Sequence, residues 1–305
     1  MKSHWKQLAA LMAFAVALAG CGKSASSTVP TPPTNTDVAG ATSGMASSPT
    51  LLVDDLFDVT ATTGASAHPA QPMTAIDPLT FYRWFSAGTR NFTFAFSDSD
   101  SAGHPRQADV TVRRDLYGML NIIQRPLGGT EPDTHNVVHK PFHDVWTRHL
   151  HLVRVLVAGD HGMEPRWHVE STSGINVASQ PGDRAITSMH IVGSGLDVTV
   201  TDPAQLMSLT QLPHATANDS VTVTVTSGAM DDICVLYWHD HRERMHPNGD
   251  GTCSLKLWVG VMPGLRGIGV NVLSHGTLFD DTVPYNSLAW IVPIWVGDAP
   301  PTVWP

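Results

Sequence analysis

The chain has 305 residues, with 18 Lys+Arg against 27 Asp+Glu, a formal charge of −9, and 42% apolar residues. An acidic balance of this size repels nucleic acid and anionic headgroups, which excludes a phosphate-reading protein as the first expectation. The length leaves room for two modest domains or one large body, and the apolar content is that of an ordinary globular protein.

The first element is a leader. Lys2 and Lys6 form a short positive head, and Leu8 to Ala19 is an apolar run with the length of a secretory h-region rather than of a permanent membrane span. It ends Leu18-Ala19-Gly20-Cys21, which resembles the lipobox of bacterial lipoproteins. That resemblance implies cleavage after residue 20, lipidation of Cys21 and a partner in the membrane through the acyl chains. Gly22 rather than aspartate follows the anchor, which by the same resemblance implies the cell envelope, and the outer membrane where the host has one. Loss of Lys2 and Lys6 leaves 16 Lys+Arg against 27 Asp+Glu, or −11, so the acyl chains and not the protein surface must hold the membrane.

Residues 21–50 are rich in Ser, Thr, Pro, Gly and Ala with no aromatic residue, a composition that cannot offset its own chain entropy, and a disordered tether is expected. From residue 51 the composition changes, and residues 51–192 are expected to form a β-rich domain. Asp77-Pro78 reads as the start of a short helix over 77–85, with Asp77 as N-cap and Pro78 at the first helical position. Strands are expected at Arg90 to Phe96, Asp109 to Arg113, Gly118 to Gln124, Trp146 to Val157, Arg166 to Glu170 and Ile186 to Val192, with a loop over 125–145.

Residues 193–305 carry the clearest alternation. Val221, Val223 and Val225 share a face; Ile233 to Trp238 is apolar on both faces, as in a central strand; Cys253, Leu255 and Leu257 alternate with polar neighbours. Ile268, Val270 and Val272 repeat the pattern, and Leu288 to Val296 ends the series with Pro293 at an edge or bulge. Short antiparallel strands with a tryptophan on a central one resemble an immunoglobulin-like sandwich. The expected fold class is therefore all-β, an antiparallel β-sandwich architecture with an immunoglobulin-like C-terminal module behind the tether.

With Cys21 acylated, Cys234 and Cys253 remain. Parity sends both into one core, and an oxidising compartment makes a disulfide between them the expectation. Direct pairing of their strands centres the connecting loop between Glu243 and Arg244, although Asn248-Gly249 is the stronger turn signal.

Sixteen histidines are the anomaly of the composition. His149 with His151, and His239 with His241, have the spacing that puts two rings on one side of a strand, half of a tetrahedral zinc or copper site, with His143, Asp144, Asp240 or His246 as a third ligand. No His-Glu-x-x-His motif, no Gly-x-Ser-x-Gly elbow and no phosphate loop occurs. Trp258 and Trp295 fall on polar strand faces, where aromatic rings form a platform for sugars. Three functions follow in order: a lipid-anchored, non-enzymatic binding or scaffold module meeting a cell-envelope protein or glycan; a histidine-rich transition-metal protein or metalloenzyme; a carbohydrate-binding module.

Overall fold

The computed structural model describes residues 34–46, 78–124, 137–159, 162–238, 241–298 and 300. The expected leader, the expected lipobox and its Cys21, the 51–77 stretch, the 125–136 part of the expected loop, and His239 and Asp240 lie outside these residues. The described chain is mostly β. In order, the elements are α1 (Asn35–Ala46), β1 (Pro78–Ser99), β2 (Pro105–Gln124), β3 (Val137–Gly159), β4 (Gly162–Ser179), β5 (Ile186–Gly193), β6 (Leu196–Val200) and β7 (Met207–Ser208). A 3-10 turn at Leu209–Gln211 leads to β8 (His214–Ala215), β9 (Ser220–Ser227), β10 (Ile233–Trp238), β11 (His241–Arg244), β12 (His246–Pro247) and β13 (Thr252–Trp258). The chain closes with β14 (Gly264–Leu273), α2 (His275–Phe279) and β15 (Ser287–Val296).

A ten-stranded sheet runs β1-β2-β3-β4-β15-β14-β10-β11, with β7 beside β4 and β8 beside β15. A five-stranded sheet runs β12-β13-β9-β5-β6. All pairings are antiparallel except the two-residue contact of β8 with β15. Because β4 pairs with β15, the ten-stranded sheet draws strands from both sides of the boundary expected at 192/193.

Two cores lie on the two sides of β10, β14 and β15. One side packs Cys234, Leu236, Val270, Val272 and Val292 against Val223, Val225, Ile191 and Leu255 of the second sheet, which makes a β-sandwich. The other side carries Val235, Tyr237, Ala289 and Ile291, and continues along the inner face of β2–β4 through Leu120, Phe142, Trp146, Leu152 and Val177. Double-sided burial explains why β10 is apolar at every position.

Three local expectations change. The helix over 77–85 is not formed: Phe81, Trp84 and Phe85 pair with Ile122, Met119 and Gly118 as part of the 22-residue β1. The β-favouring aromatics and a full-length partner outweigh a start signal that no apolar helical face supports. Likewise Asp109 to Arg113 and Gly118 to Gln124 are one strand, and Pro141 sits inside β3 rather than in a loop. Pro293 is in a strand with neighbours on both sides, yet at a gap between them. Pairing of β15 with β4 ends at Ile291, and contact with β8 begins at Trp295. The missing N–H therefore costs no ladder bond to either.

Within the expected tether, residues 35–46 form a helix laid on β4. Thr34 caps it: its Oγ1 accepts from the Asp37 N–H, while Asp37 Oδ2 accepts from the Thr34 N–H at 3.0 Å and from its hydroxyl at 2.7 Å. Ala41 and Met45 are buried. A Cβ on Gly44 would stand 2.5 Å from the Trp167 carbonyl oxygen, so the absence of a side chain lets the helix approach β4. No apolar periodicity announces such a helix, because small residues make its contact.

Candidate functional site

The four long strands β1–β4 present an outer face whose rows can be read from the register. Trp84–Met119–Pro141, Ala87–Tyr117–His143, Thr89–Asp115–Val145, Asn91–Arg113–Thr147, Thr93–Thr111–His149 and Ala95–Asp109–His151 follow one another across β1, β2 and β3. The histidines of β3 thus share a face, as their spacing predicts, but each turns to its own cross-strand neighbour. His139 Nδ1 lies 2.6 Å from Asn121 Oδ1, His143 Nε2 is 2.9 Å from Asp115 Oδ1, and His149 Nδ1 is 3.1 Å from Thr111 Oγ1. His151 Nδ1 lies 2.7 Å from Asp109 Oδ1, with Glu170 3.8 Å from its other nitrogen.

His149 and His151 therefore do not converge on one point, as a shared ion at about 2.0–2.1 Å would require. His241 and His246 are exposed on β11 and β12, which belong to different sheets. Among the described residues no group of three or more His, Cys, Asp or Glu is placed to hold a metal ion. The stretch from His246 to Gly251 forms a tight turn, in which Asp250 Oδ1 accepts from the Thr252 N–H at 3.0 Å and from its hydroxyl at 2.6 Å.

Asp115 is the most constrained acid on the outer face. The Arg113 guanidinium donates to both of its oxygens at 3.0 and 3.1 Å, and His143 reaches the same carboxylate. Those hydrogen bonds, Arg113 first and His143 second, hold its carboxyl down at about 2. Tyr117 stacks on His143 with ring centroids 4.3 Å apart and 13° between planes.

The inner face holds charge, and Asp144, a candidate third ligand, lies here, on the other side of the sheet from His149 and His151. Arg83 Nη1 donates to Asp144 Oδ2 at 3.2 Å and to the Tyr285 hydroxyl at 3.3 Å. Tyr285 donates to the same carboxylate oxygen at 3.1 Å and accepts from Ser287 at 2.6 Å. Burial pushes the Asp144 carboxyl up against the pull of Arg83, and burial together with the Asp144 charge pushes the Tyr285 phenol up. Nearby, the buried Lys140 ammonium donates to the carbonyls of Gly276 at 3.0 Å, Val283 at 2.6 Å and Asp280, closing the C-terminal end of α2. Burial lowers the Lys140 pKa, with Asp280 and Asp281 opposing. The parity of Arg83, Lys140 and Asp144 with their apolar neighbours was the available signal. An open recess of about 390 Å³ lies beside the β1 bulge, lined by residues that include Arg90, Arg114 and Leu116. Both arginines are already engaged.

Cys234 and Cys253 do point into one core, but from opposite sheets, on β10 and β13. The hairpin expected to join them is replaced by β11, which pairs with β10, and by β12, which pairs with β13. Direct strand pairing is thus corrected to a contact across the sandwich. The expected disulfide is not formed: both are buried free thiols in mutual hydrogen-bond contact. The contact with Cys253, then burial, pushes the Cys234 thiol up.

Trp258 is 55% exposed, its indole N–H donating to Asn218 Oδ1 at 3.3 Å. Trp295 is half-buried against the inner core, on the other sheet. The two rings thus share no platform, because the chain crosses between sheets from β13 to β14. Val261 and Met262, 57% and 72% exposed, flank Trp258 with aliphatic surface instead.

No family model, no curated protein and no solved structure matches the chain.

Proposed function

We propose that this is a lipid-anchored, extracytoplasmic binding or scaffold protein of the bacterial cell envelope. It is held through an acylated Cys21, reaches the outer membrane where the host has one, and performs no chemistry on its partner. The observation that carries this reading is the outer face of β1–β4. It is a broad array of polar and aromatic side chains on strands of 18 to 23 residues. Rigid, long-stranded surfaces of this kind suit recognition by area and hydrogen bonding.

Site-specific photo-crosslinking in the native host tests it. A photoreactive residue at Asn91 or Thr93 should capture an envelope component, whereas one at Thr222 on the second sheet should not. Equal or absent capture at all three positions rejects the outer face as the binding surface. Replacing Cys21 by alanine should move the protein from the membrane to the soluble fraction.

A further inference from the structure

The outer face is not uniform. At the β2 end nearest its loop to β3, two large rings stand in solvent on adjacent strands: Trp84 is 62% exposed and Tyr117 is 42% exposed. Trp84 pairs with Met119 and Tyr117 with Ala87, so the rings are diagonal neighbours on one side of the sheet. Isolated exposed aromatics are commonplace, but these two are held by built features.

A register shift between Phe85 and Ala87 turns the strand between them. Ser86 Oγ fastens that bulge by donating to the Tyr117 carbonyl at 3.2 Å. Gly118 accommodates the approach: a Cβ there would stand 2.2 Å from the Trp84 carbonyl oxygen and 2.6 Å from the Phe142 ring. Bulges that re-aim side chains are typical beside functional sites. Tyr117 is further stiffened by its stack on His143.

Beside the rings stands a fixed polar set. Asp115 is two residues along β2 from Tyr117, with its carboxylate oriented by Arg113 and His143. Arg113 and Asp115 cancel formally, so the patch favours neither a cation nor an anion. Flat π-faces offer apolar area and a negative quadrupole to C–H groups, while an oriented carboxylate and guanidinium accept from and donate to hydroxyls. A ligand that presents an apolar C–H face and a rim of hydroxyls, without charge, matches all of these at once.

We infer that Trp84, Tyr117, His143, Asp115 and Arg113 form a binding platform for a neutral oligosaccharide. The inference rests on the binding reading above and names its ligand class and position, on a different face from Trp258.

The test is calorimetric titration of the detergent-solubilised full chain with cellohexaose, chitohexaose and maltohexaose, with tryptophan fluorescence as a second readout. At least one of the three should bind. Trp84→Ala and Tyr117→Ala should each weaken that binding by about tenfold or more, Tyr117→Phe should preserve it, and Trp258→Ala should leave it unchanged. Thermal unfolding of each variant checks that the exposed substitutions leave the fold intact. Failure of all three sugars to bind overturns the inference, as does equal binding by Trp84→Ala or loss confined to Trp258→Ala. Crosslinking from Asn91 or Thr93 in the same strains separates the two levels: envelope capture without sugar binding removes this platform and leaves the binding reading standing.

Discussion

Replacing Asp144 should be among the most damaging single changes in the described chain. Its side chain is 1% exposed and that of Arg83 is 8%, with 3.2 Å between them. Asp144→Leu leaves a guanidinium in a site that water does not reach, and takes from Tyr285 the acceptor it donates to at 3.1 Å. Breaking a buried pair by removing one partner costs about 3–5 kcal/mol, against a total stability of about 5–15 kcal/mol for a typical domain. The double variant Arg83→Met/Asp144→Leu replaces the pair by apolar groups and should cost only about 1–2 kcal/mol, since desolvation consumes most of the Coulombic gain. Equilibrium urea unfolding followed by tryptophan fluorescence supplies the cycle, because Trp146 is buried two residues from Asp144 on the same strand. A single variant within about 1 kcal/mol of the parent, or a double variant as costly as the sum of the singles, would refute the claim that this pair is coupled and desolvated.

Lys140→Met should destabilise by about 2–4 kcal/mol, seen in the same unfolding assay, because it takes the ammonium donor from the carbonyls of Asp280 and Val283, while Gly276 keeps only the Asp280 N–H. Asp115→Asn should cost about 1 kcal/mol at neutral pH after allowance for solvent screening. The folded carboxyl sits at about 2, below its unfolded value. Its contribution is therefore complete above about pH 4, falls as pH drops through 2, and the difference from Asp115→Asn should vanish there. Gly118→Ala should cost at least about 1–3 kcal/mol by driving a Cβ into the Trp84 carbonyl and the Phe142 ring, and should shift the tryptophan emission.

Legibility in the sequence followed the cleanness of the two-residue period. Val221, Val223 and Val225 face the sandwich core and their threonine neighbours face out, so β9 could be read directly. The long strands could not. Their inner face interleaves Arg83, Lys140, Asp144 and Arg148 with Leu120, Phe142 and Trp146, so one strand read as several fragments. Parity correctly sent both cysteines inward, yet said nothing of which sheet each strand joins. That depends on where β11 ends and β12 begins, a crossing marked only by Met245 between two exposed stretches. For the histidines, spacing correctly predicted a common face. Convergence is a matter of ångströms, decided by cross-strand neighbours such as Thr111 and Asp109 that are about 40 residues away. Trp84 and Tyr117 gave no signal because their partnership exists only in the register of β1 on β2.

The proposed function rests on export and anchoring, and intact-mass and N-terminal peptide mass spectrometry of protein taken from native membranes tests that proposal most directly. The account predicts a chain that begins at Cys21 with fatty acyl groups on that residue. A chain that still begins at Met1 with an unmodified thiol at position 21 contradicts it.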